Sequence, residues 1–183
     1  MADVIQNAEW SRKEENYQEY LRLLNNPDYY DVSFDEESGG VSGIHLRHRF
    51  DPTEGLYGIK KGEYEKIAVD ILRRGGHAVI LESEYAPNGI KTPDGTIDGI
   101  VMDIKAVEGM GKWAIKDKFH DATKKCVECV ILYFHKEKLF SKERMYDGWN
   151  KFKNDKDSIR YDMTIKRVIC IIETKIVEWC IPQ

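Results

Sequence analysis

The stretch that decides the fold is Lys91-Thr-Pro-Asp-Gly-Thr-Ile-Asp-Gly-Ile-Val-Met-Asp-Ile-Lys105, where a polar turn separates two short runs of strand-forming residues. The dipeptide Asp98-Gly99 is typical of a two-residue hairpin turn, because both residues tolerate positive φ. The register then follows as Ile97 opposite Ile100, Thr96 opposite Val101, Gly95 opposite Met102 and Asp94 opposite Asp103.

This hairpin would bring two carboxylates and an ammonium to one face of a sheet. Opposed side chains lie about 5 Å apart, and Lys105, two residues beyond Asp103, points to the same face. Two carboxylates as close as Asp94 and Asp103 repel unless a cation neutralises them, and hard oxygen ligands favour Mg²⁺ or Mn²⁺. A metal there could bind a phosphate and activate a water, so the pattern predicts phosphodiester chemistry. The alternative is that these are ordinary turn residues on a solvated strand.

Composition and charge set wide bounds on the class of protein. The 183 residues are 42% hydrophobic and 33% charged, which suits one globular domain with a substantial core. The net charge of −4 argues against indiscriminate polyanion binding but allows a local basic groove. No apolar run reaches the length of a membrane span, and the N-terminus lacks a signal-peptide pattern. We therefore expect a cytoplasmic protein with no membrane partner.

Two short motifs resemble metal ligands only weakly. Cys126-Val-Glu-Cys129 has a zinc-ligand spacing but no second pair of ligands, so we interpret these cysteines as small hydrophobic residues entering a buried strand. A zinc or redox protein built on these thiols stays an alternative. The segment His45-Leu-Arg-His-Arg49 is interpreted as a basic surface strip that can touch phosphate.

The first 57 residues are expected to form an N-terminal helix and an irregular arm. Ser11 and Glu14 make a capping-box pattern at the helix start, and Asn25-Asn26-Pro27 ends it. The apolar stripe of this helix is Tyr17, Tyr20, Leu21 and Leu24. Short strands are expected near 32–34 and 43–46, on either side of a polar turn.

Residues 58–183 are expected to form the main domain. Residues 60–74 have helical spacing, with Glu65 on the side of the apolar stripe Ile67, Ala68, Ile71 and Leu72. The further elements are strand 77–84, the hairpin, helix 113–125, strand 129–134, helix 141–154, strand 167–173 and an extra strand at 176–179. This order predicts an α/β fold in which a mixed sheet carries helices on its faces. The hairpin strand and strand 129–134 should be parallel.

The order of elements and the motif residues resemble the PD-(D/E)xK nuclease superfamily. The narrower resemblance, over about 58–178, is to the tRNA-cleaving toxin domain at the C-terminus of contact-dependent growth inhibition proteins, which also occurs in polymorphic toxins attached to phage head-morphogenesis proteins. The residues that carry it are Gly62-x-Tyr-Glu65, Leu72, Gly76, Val79-Ile-Leu81, Thr92-Pro-Asp-Gly-x-Ile-Asp-Gly99 and Asp103-Ile-Lys105.

The resemblance implies a restriction-endonuclease-like core, a mixed central sheet flanked by helices, with an N-terminal helical extension. It implies that Asp94, Asp103 and Glu65 are metal ligands and that Lys105 is the motif lysine. Either Glu82 or Glu84 would be a further acidic residue. The implied cofactor is a divalent metal ion, Mg²⁺ or Mn²⁺, with Zn²⁺ as an alternative.

The activity that the resemblance implies is metal-dependent endonucleolytic cleavage of tRNA by a toxin domain. A cognate immunity protein would be its partner, and the chain would be a fragment of a delivered toxin or a phage-encoded protein. Lys112, Lys116 and Lys118 could contact the nucleic-acid backbone, although a solvated helix face also explains them. Two other readings stay open: a DNA nuclease of the resolvase or restriction type, and a catalytically silent nucleic-acid-binding module related to phage proteins.

Overall fold

One mixed sheet of eight strands organises the residues that the computed structural model describes, which are 2–86, 91–155 and 164–182. The strands lie side by side in chain order: β1 (Tyr29–Phe34), β2 (Val41–His45), β3 (Ala78–Leu81), β4 (Gly95–Ile97), β5 (Ile100–Ala106), β6 (Cys129–Phe134), β7 (Arg167–Ile172) and β8 (Lys175–Trp179). The helices are α1 (Ala2–Leu24), α2 (Lys61–Arg74), α3 (Ala114–Thr123) and α4 (Lys142–Lys153). The expected mixed α/β class is confirmed.

The helices cover the two faces of this sheet. Along β6, Val130 and Leu132 pack with α3 and α4, whereas Ile131 and Tyr133 pack under α2. This alternation is the period of two that a strand buried on both faces requires. The third apolar cluster joins α1 to β2 and β3 through Leu23.

The hairpin between β4 and β5 has the predicted turn and register. Asp98 and Gly99 both have positive φ, 51° and 78°, as a type I′ turn requires. The paired residues are Ile97 with Ile100, Thr96 with Val101 and Gly95 with Met102. The prediction that β5 and β6 are parallel is also confirmed.

Strand directions gather several loops at one edge of the sheet. β2 is parallel to β3, and β5, β6 and β7 are mutually parallel. Since β4 runs antiparallel to both β3 and β5, strands β2, β3, β5, β6 and β7 all end at the same edge, where β4 begins. We call this the carboxyl edge. The turn at Asp98 and Gly99 lies at the opposite edge, which we call the turn edge.

The start of the N-terminal helix was predicted wrongly. The helix already covers Ala2, so Ser11 is an interior residue whose hydroxyl donates to Glu15 at 3.2 Å rather than capping the helix. The predicted stripe is wrong in part, because Tyr17 and Leu24 are exposed.

Among residues 10–24 of α1, whose burial the structure describes, the buried positions are instead Asn16 and Leu23. The Asn16 amide donates to the carbonyl oxygen of Gly39 at 2.9 Å, so this polar side chain is accommodated by a hydrogen bond to the β1–β2 loop. Polar and apolar contacts therefore both help to fix the helix to the sheet.

The expected domain boundary at residue 58 lies between β2 and α2. β2 pairs in parallel with β3, so the strands from the first 57 residues extend the same sheet as the strands that follow. The parallel β2–β3 pair positions the segment after His45 at the carboxyl edge.

Candidate active site

A cavity of about 330 Å³ opens at the carboxyl edge, between α2 on one face of the sheet and α3 on the other. Its charged lining consists of the acidic residues Asp51, Glu65, Glu84, Asp94, Glu108 and Asp121 and the basic residues Arg49, Lys61, Lys105, Lys118 and Lys125. Acidic and basic groups are therefore interleaved around a space that can admit a small anion together with a cation.

Of the two aspartates of the hairpin, Asp94 lines this cavity and Asp103 is buried next to it, and both are almost completely buried. The ammonium of Lys125 donates to Asp94 Oδ1 and to Asp103 Oδ1, each at 2.6 Å. Lys105 Nζ lies 2.5 Å from the other oxygen of Asp103, and the backbone N–H of Ile104 donates to Asp94 Oδ2 at 2.7 Å. The predicted convergence of Asp94, Asp103 and Lys105 is therefore present in the structure.

The two carboxyl groups differ in acidity. Burial and the adjacent charge of Asp94 raise the pKa of Asp103 to about 6, against the opposing effect of Lys105 and Lys125. Burial also disfavours ionised Asp94, but Lys105 and Lys125 outweigh it and the pKa of Asp94 is lowered. Of these two adjacent carboxyl groups, Asp94 is thus ionised at neutral pH, whereas Asp103 titrates close to that range.

Lys125 was missed by the sequence reading. It follows α3 and is 22 residues away from Asp103 along the chain. Nothing in the local sequence separates it from Lys124, whose ammonium pairs with Asp121. Only the packing of α3 against the sheet selects one lysine of this pair for the floor of the cavity.

Glu65 reaches the cavity from the face of α2 that turns toward the sheet, as the helical pattern predicted. Its Oε1 lies 2.9 Å from His48 Nε2, and the His48 side chain is fully buried. His48 Nδ1 lies 3.1 Å from the carbonyl oxygen of Glu82, which can only accept, so this nitrogen carries a hydrogen. Burial alone would lower the pKa of His48, but Glu65 outweighs it and raises that pKa. His48 is therefore the buried partner of Glu65.

This pairing corrects the interpretation of 45–49 as a basic surface strip. His48 is buried because β2 delivers it beneath α2, whereas Arg49 is exposed and lines the cavity. His48 is therefore buried in contact with Glu65, whereas the next residue, Arg49, lines the open cavity.

The structure distinguishes between the two further acidic candidates. Glu84 lines the cavity, and its charge, like that of Asp94, raises the pKa of Glu65, for which burial is the largest cause. Glu82 instead accepts a hydrogen bond from the Tyr29 hydroxyl at 2.8 Å. Glu84 is therefore placed with the site residues, and Glu82 ties β1 to the end of β3.

The three lysines around the start of α3 divide between two places. Lys118 lines the cavity, where burial and the nearby charge of Lys105 lower its pKa. Lys112 and Lys116 lie over the ring of Trp113, with their ammonium nitrogens 5.2 and 5.6 Å from its centre. The structure thus places only Lys118 of this trio with the site.

The cysteines of the C-x-x-C motif are not arranged as a pair of ligands. Cys129 is buried in β6, and burial raises the pKa of its thiol to about 12. Cys126 is exposed and has a positive φ of 54°, so the expectation that both enter a buried strand is wrong for this residue. Its backbone turns the chain between α3 and β6.

The donor set of the cavity fits a hard divalent cation in its chemistry. Glu65, Glu84 and Asp94 present carboxylate oxygens, the ligands that Mg²⁺ and Mn²⁺ prefer. In the described ranges, no three His, Cys, Asp or Glu side chains are already grouped as a metal's ligands. The reason is local: Lys125 lies between Asp94 and Asp103, and His48 engages Glu65.

Comparison of the chain with protein-family models, with curated proteins and with solved structures found no match. Among the helices in the described parts of the chain, none is long and apolar enough to cross a membrane.

Proposed function

We propose that this protein is a metal-dependent nuclease that hydrolyses phosphodiester bonds. The observation that carries the proposal is one cavity lined by Asp94, Lys105 and two further carboxylates, Glu65 and Glu84, with Asp103 buried against two of its lysines. These groups come from a helix, a strand end and a hairpin, and they meet beside basic side chains suited to a phosphate. A solvated strand face would not bury both aspartates.

The acidic groups would hold the cofactor, a divalent cation bound through Asp94, Asp103 and Glu65 as the resemblance implies, with Glu84 as a further carboxylate. When bound, such an ion neutralises phosphate charge and lowers the pKa of a coordinated water. In hydrolysis the water oxygen bonds to phosphorus, the sugar oxygen leaves, and a proton passes from the water to the leaving oxygen. Lys105 supplies an ammonium at the mouth of the site, where it stabilises the negative charge that develops on the phosphate.

The remaining basic groups have supporting roles in this proposal. Lys125 keeps the buried Asp94 and Asp103 together by donating a hydrogen bond to each. Arg49, Lys61 and Lys118 line the cavity and bind phosphates on either side of the one that is cleaved.

The order of elements supports the same class of enzyme. The run α2, β3, β4, β5, α3, β6 is a helix, three antiparallel strands, a helix and a parallel strand. This is the order on which the sequence resemblance to the PD-(D/E)xK nucleases rests. The preference for tRNA, the toxin role and the immunity partner are proposed from that resemblance.

The decisive test incubates the purified chain with total bacterial RNA and with plasmid DNA, in Mg²⁺, Mn²⁺ or EDTA. We expect loss of tRNA bands that requires the metal and is absent in Lys105→Ala. The matched control is Lys166→Ala, which removes an exposed lysine directly before β7 at the turn edge and should cleave normally. Circular dichroism confirms that both variants are folded.

The other results assign the chain to other classes. Metal-dependent cutting of DNA alone would favour a nuclease of the resolvase or restriction type. Failure of the folded chain to cleave either substrate with any metal would overturn the enzyme proposal and leave a catalytically silent module.

Two neighbouring glutamates give a sharper test of the site. We expect Glu84→Gln to lower kcat about 10- to 100-fold, because it removes a carboxylate charge from the cavity. Glu82→Gln should change kcat less than about twofold, since an amide oxygen still accepts the Tyr29 hydrogen bond. Equal losses in the two variants would contradict the assignment of Glu84 to the site.

A further inference from the structure

Two exposed tyrosines, each with a cation over its ring, lie at the carboxyl edge. Tyr85 directly follows Glu84 of the cavity, is 66% exposed, and has the Arg47 guanidinium 5.5 Å from its ring centre. Tyr57 is 37% exposed and has the Lys136 ammonium 3.8 Å from its ring centre. Each pair combines a flat aromatic surface with a positive charge.

Tyr57 is connected to the cavity through a row of rings. Its ring centre lies 4.4 Å from that of His135, which in turn lies 5.2 Å from Tyr64. Tyr64 is buried and lines the cavity. Burial and Lys136 lower the pKa of His135, so the imidazole is a neutral ring that supports Tyr57 from below.

The two tyrosines lie on different sides of the hairpin aspartates. Tyr85 follows β3, while His135, the support of Tyr57, follows β6. In the sheet, β4 and β5 lie between β3 and β6. Three strand spacings therefore separate β3 from β6, which is a distance of roughly 14 Å. Lys105, where the proposed function puts the cleaved phosphate, is on β5 and therefore lies between them.

We propose that Tyr85 and Tyr57 are stacking platforms for unpaired bases on the two sides of the cleaved phosphate. This inference rests on the proposed function for the nature of the ligand and specifies its class: a single-stranded or looped segment of nucleic acid. In a duplex the base faces are already stacked on one another, so exposed tyrosine rings are useful only to unpaired bases. The cations over both rings are placed for the adjoining phosphates.

The test measures binding in EDTA, so that it does not depend on cleavage. Fluorescence anisotropy is recorded with a labelled 12-nucleotide RNA strand and with the same strand annealed to its complement as a blunt 12-base-pair duplex. We expect Tyr85→Ala and Tyr57→Ala each to weaken single-strand binding about 5- to 30-fold, from the loss of one stacked base. Binding of the duplex should change less than about twofold, and Phe at either position should preserve binding because it keeps the ring.

The matched control is Tyr146→Ala. Tyr146 is 46% exposed on α4 and packs against Trp179, which lies at the turn edge. This variant should bind both RNAs as the wild type does. In cleavage assays with metal, the two platform variants should raise KM and leave kcat unchanged.

The outcomes separate this inference from the nuclease proposal. Unchanged single-strand binding in both platform variants, or tighter binding of the duplex than of the strand, would overturn the inference even if the wild type cleaves RNA. Binding that depends on the two tyrosines, in a chain that cleaves nothing with any metal, would uphold the inference and overturn the nuclease.

Discussion

The two ends of the β4–β5 hairpin each bury carboxylates among cations, yet the arrangements differ. At the turn edge, Asp98 accepts hydrogen bonds from Arg12 at 2.9 Å, from Arg167 at 3.0 Å and from the backbone N–H of Ala78 at 3.1 Å, and it lies 2.8 Å from His77. At the carboxyl edge, Asp94 and Asp103 share Lys125, and Asp94 lines an open cavity. One end has more cationic groups than carboxylates, and the other has two adjacent carboxylates.

The two ends of the hairpin differ in the pKa of their carboxyl groups. His77 and Arg167 outweigh burial and lower the pKa of Asp98, whereas burial and Asp94 raise the pKa of Asp103 to about 6. A carboxylate surrounded by donors within the protein needs no further partner and joins α1, β3 and β7. When two carboxyl groups lie side by side next to a cavity, an added cation favours the ionised form of both. The comparison therefore indicates which buried acidic groups are structural and which can serve chemistry.

The largest expected effect comes from the carboxyl edge. Asp103→Asn should lower the cleavage rate at least about 1000-fold, a loss near 4 kcal/mol of transition-state stabilisation. It should leave the melting temperature unchanged or raise it, because ionised Asp103 is disfavoured by burial and by Asp94. Initial rates and thermal unfolding check both parts. A loss of activity that merely tracks a loss of folded protein would make Asp103 a structural residue.

The opposite behaviour is expected at the turn edge. Asp98→Asn should cost about 2 kcal/mol of unfolding free energy, because it leaves His77 and Arg167 without their anion. Asparagine tolerates the positive φ at this position, so the change tests the charge and not the backbone. Urea unfolding measures the loss. The cleavage rate per folded molecule should stay within about twofold of the wild type. Loss of cleavage in this variant would contradict a purely structural role for Asp98.

The pH dependence of stability should have opposite signs at the two ends. Asp103 has a folded pKa of about 6, above its usual value of 3.8, so its contribution to stability is fully present below pH 3.8 and is lost as pH rises through 6. For Asp98 the folded pKa is lowered, so its contribution is present above 3.8 and is lost as pH falls below that value.

Urea unfolding in EDTA between pH 3 and 7 tests this. From pH 4 to 7, the stability of the wild type minus that of Asp103→Asn should fall by about 1–3 kcal/mol. The corresponding difference for Asp98→Asn should instead grow on leaving the acid range. Parallel pH profiles for the two differences would show that both ends are the same kind of ion-pair cluster.

The smallest effect should come from Arg12. Its side chain is 48% exposed, so Arg12→Ala should cost no more than about 0.5 kcal/mol in urea unfolding, with normal cleavage. Arg167, which is 22% exposed and also bonds Glu178, should contribute more in the matching Arg167→Ala variant. A larger loss from Arg12→Ala would mean that α1, and not β7, anchors the turn.

Local sequence predicted much of this contrast. Asp98-Gly99 sets the hairpin because two adjacent residues must adopt positive φ, and the period of two then places Asp94, Asp103 and Lys105 on one face. The helical spacing of α2 likewise directed Glu65 toward the sheet. These predictions depend on residues close together in the chain.

Other features depended on contacts between distant segments. Lys124 and Lys125 are chemically identical neighbours, and only the orientation of α3 on the sheet places one of them between the two aspartates. The sequence predicted an exposed His48, but the parallel β2–β3 pair places this residue beneath α2, where it contacts Glu65. Contacts between distant segments also distinguish Glu84, which lines the cavity, from Glu82, which bonds to Tyr29.

The sequence by itself therefore determined the hairpin, its register and the shared face of the D-x-K residues, since turn chemistry and strand periodicity are local properties. The tertiary structure alone decided which other charges meet them, because parallel pairing and helix packing join residues whose separation along the chain carries no local signal. The buried Lys125 and His48, and the tyrosines on either side of the hairpin aspartates, belong to that second category.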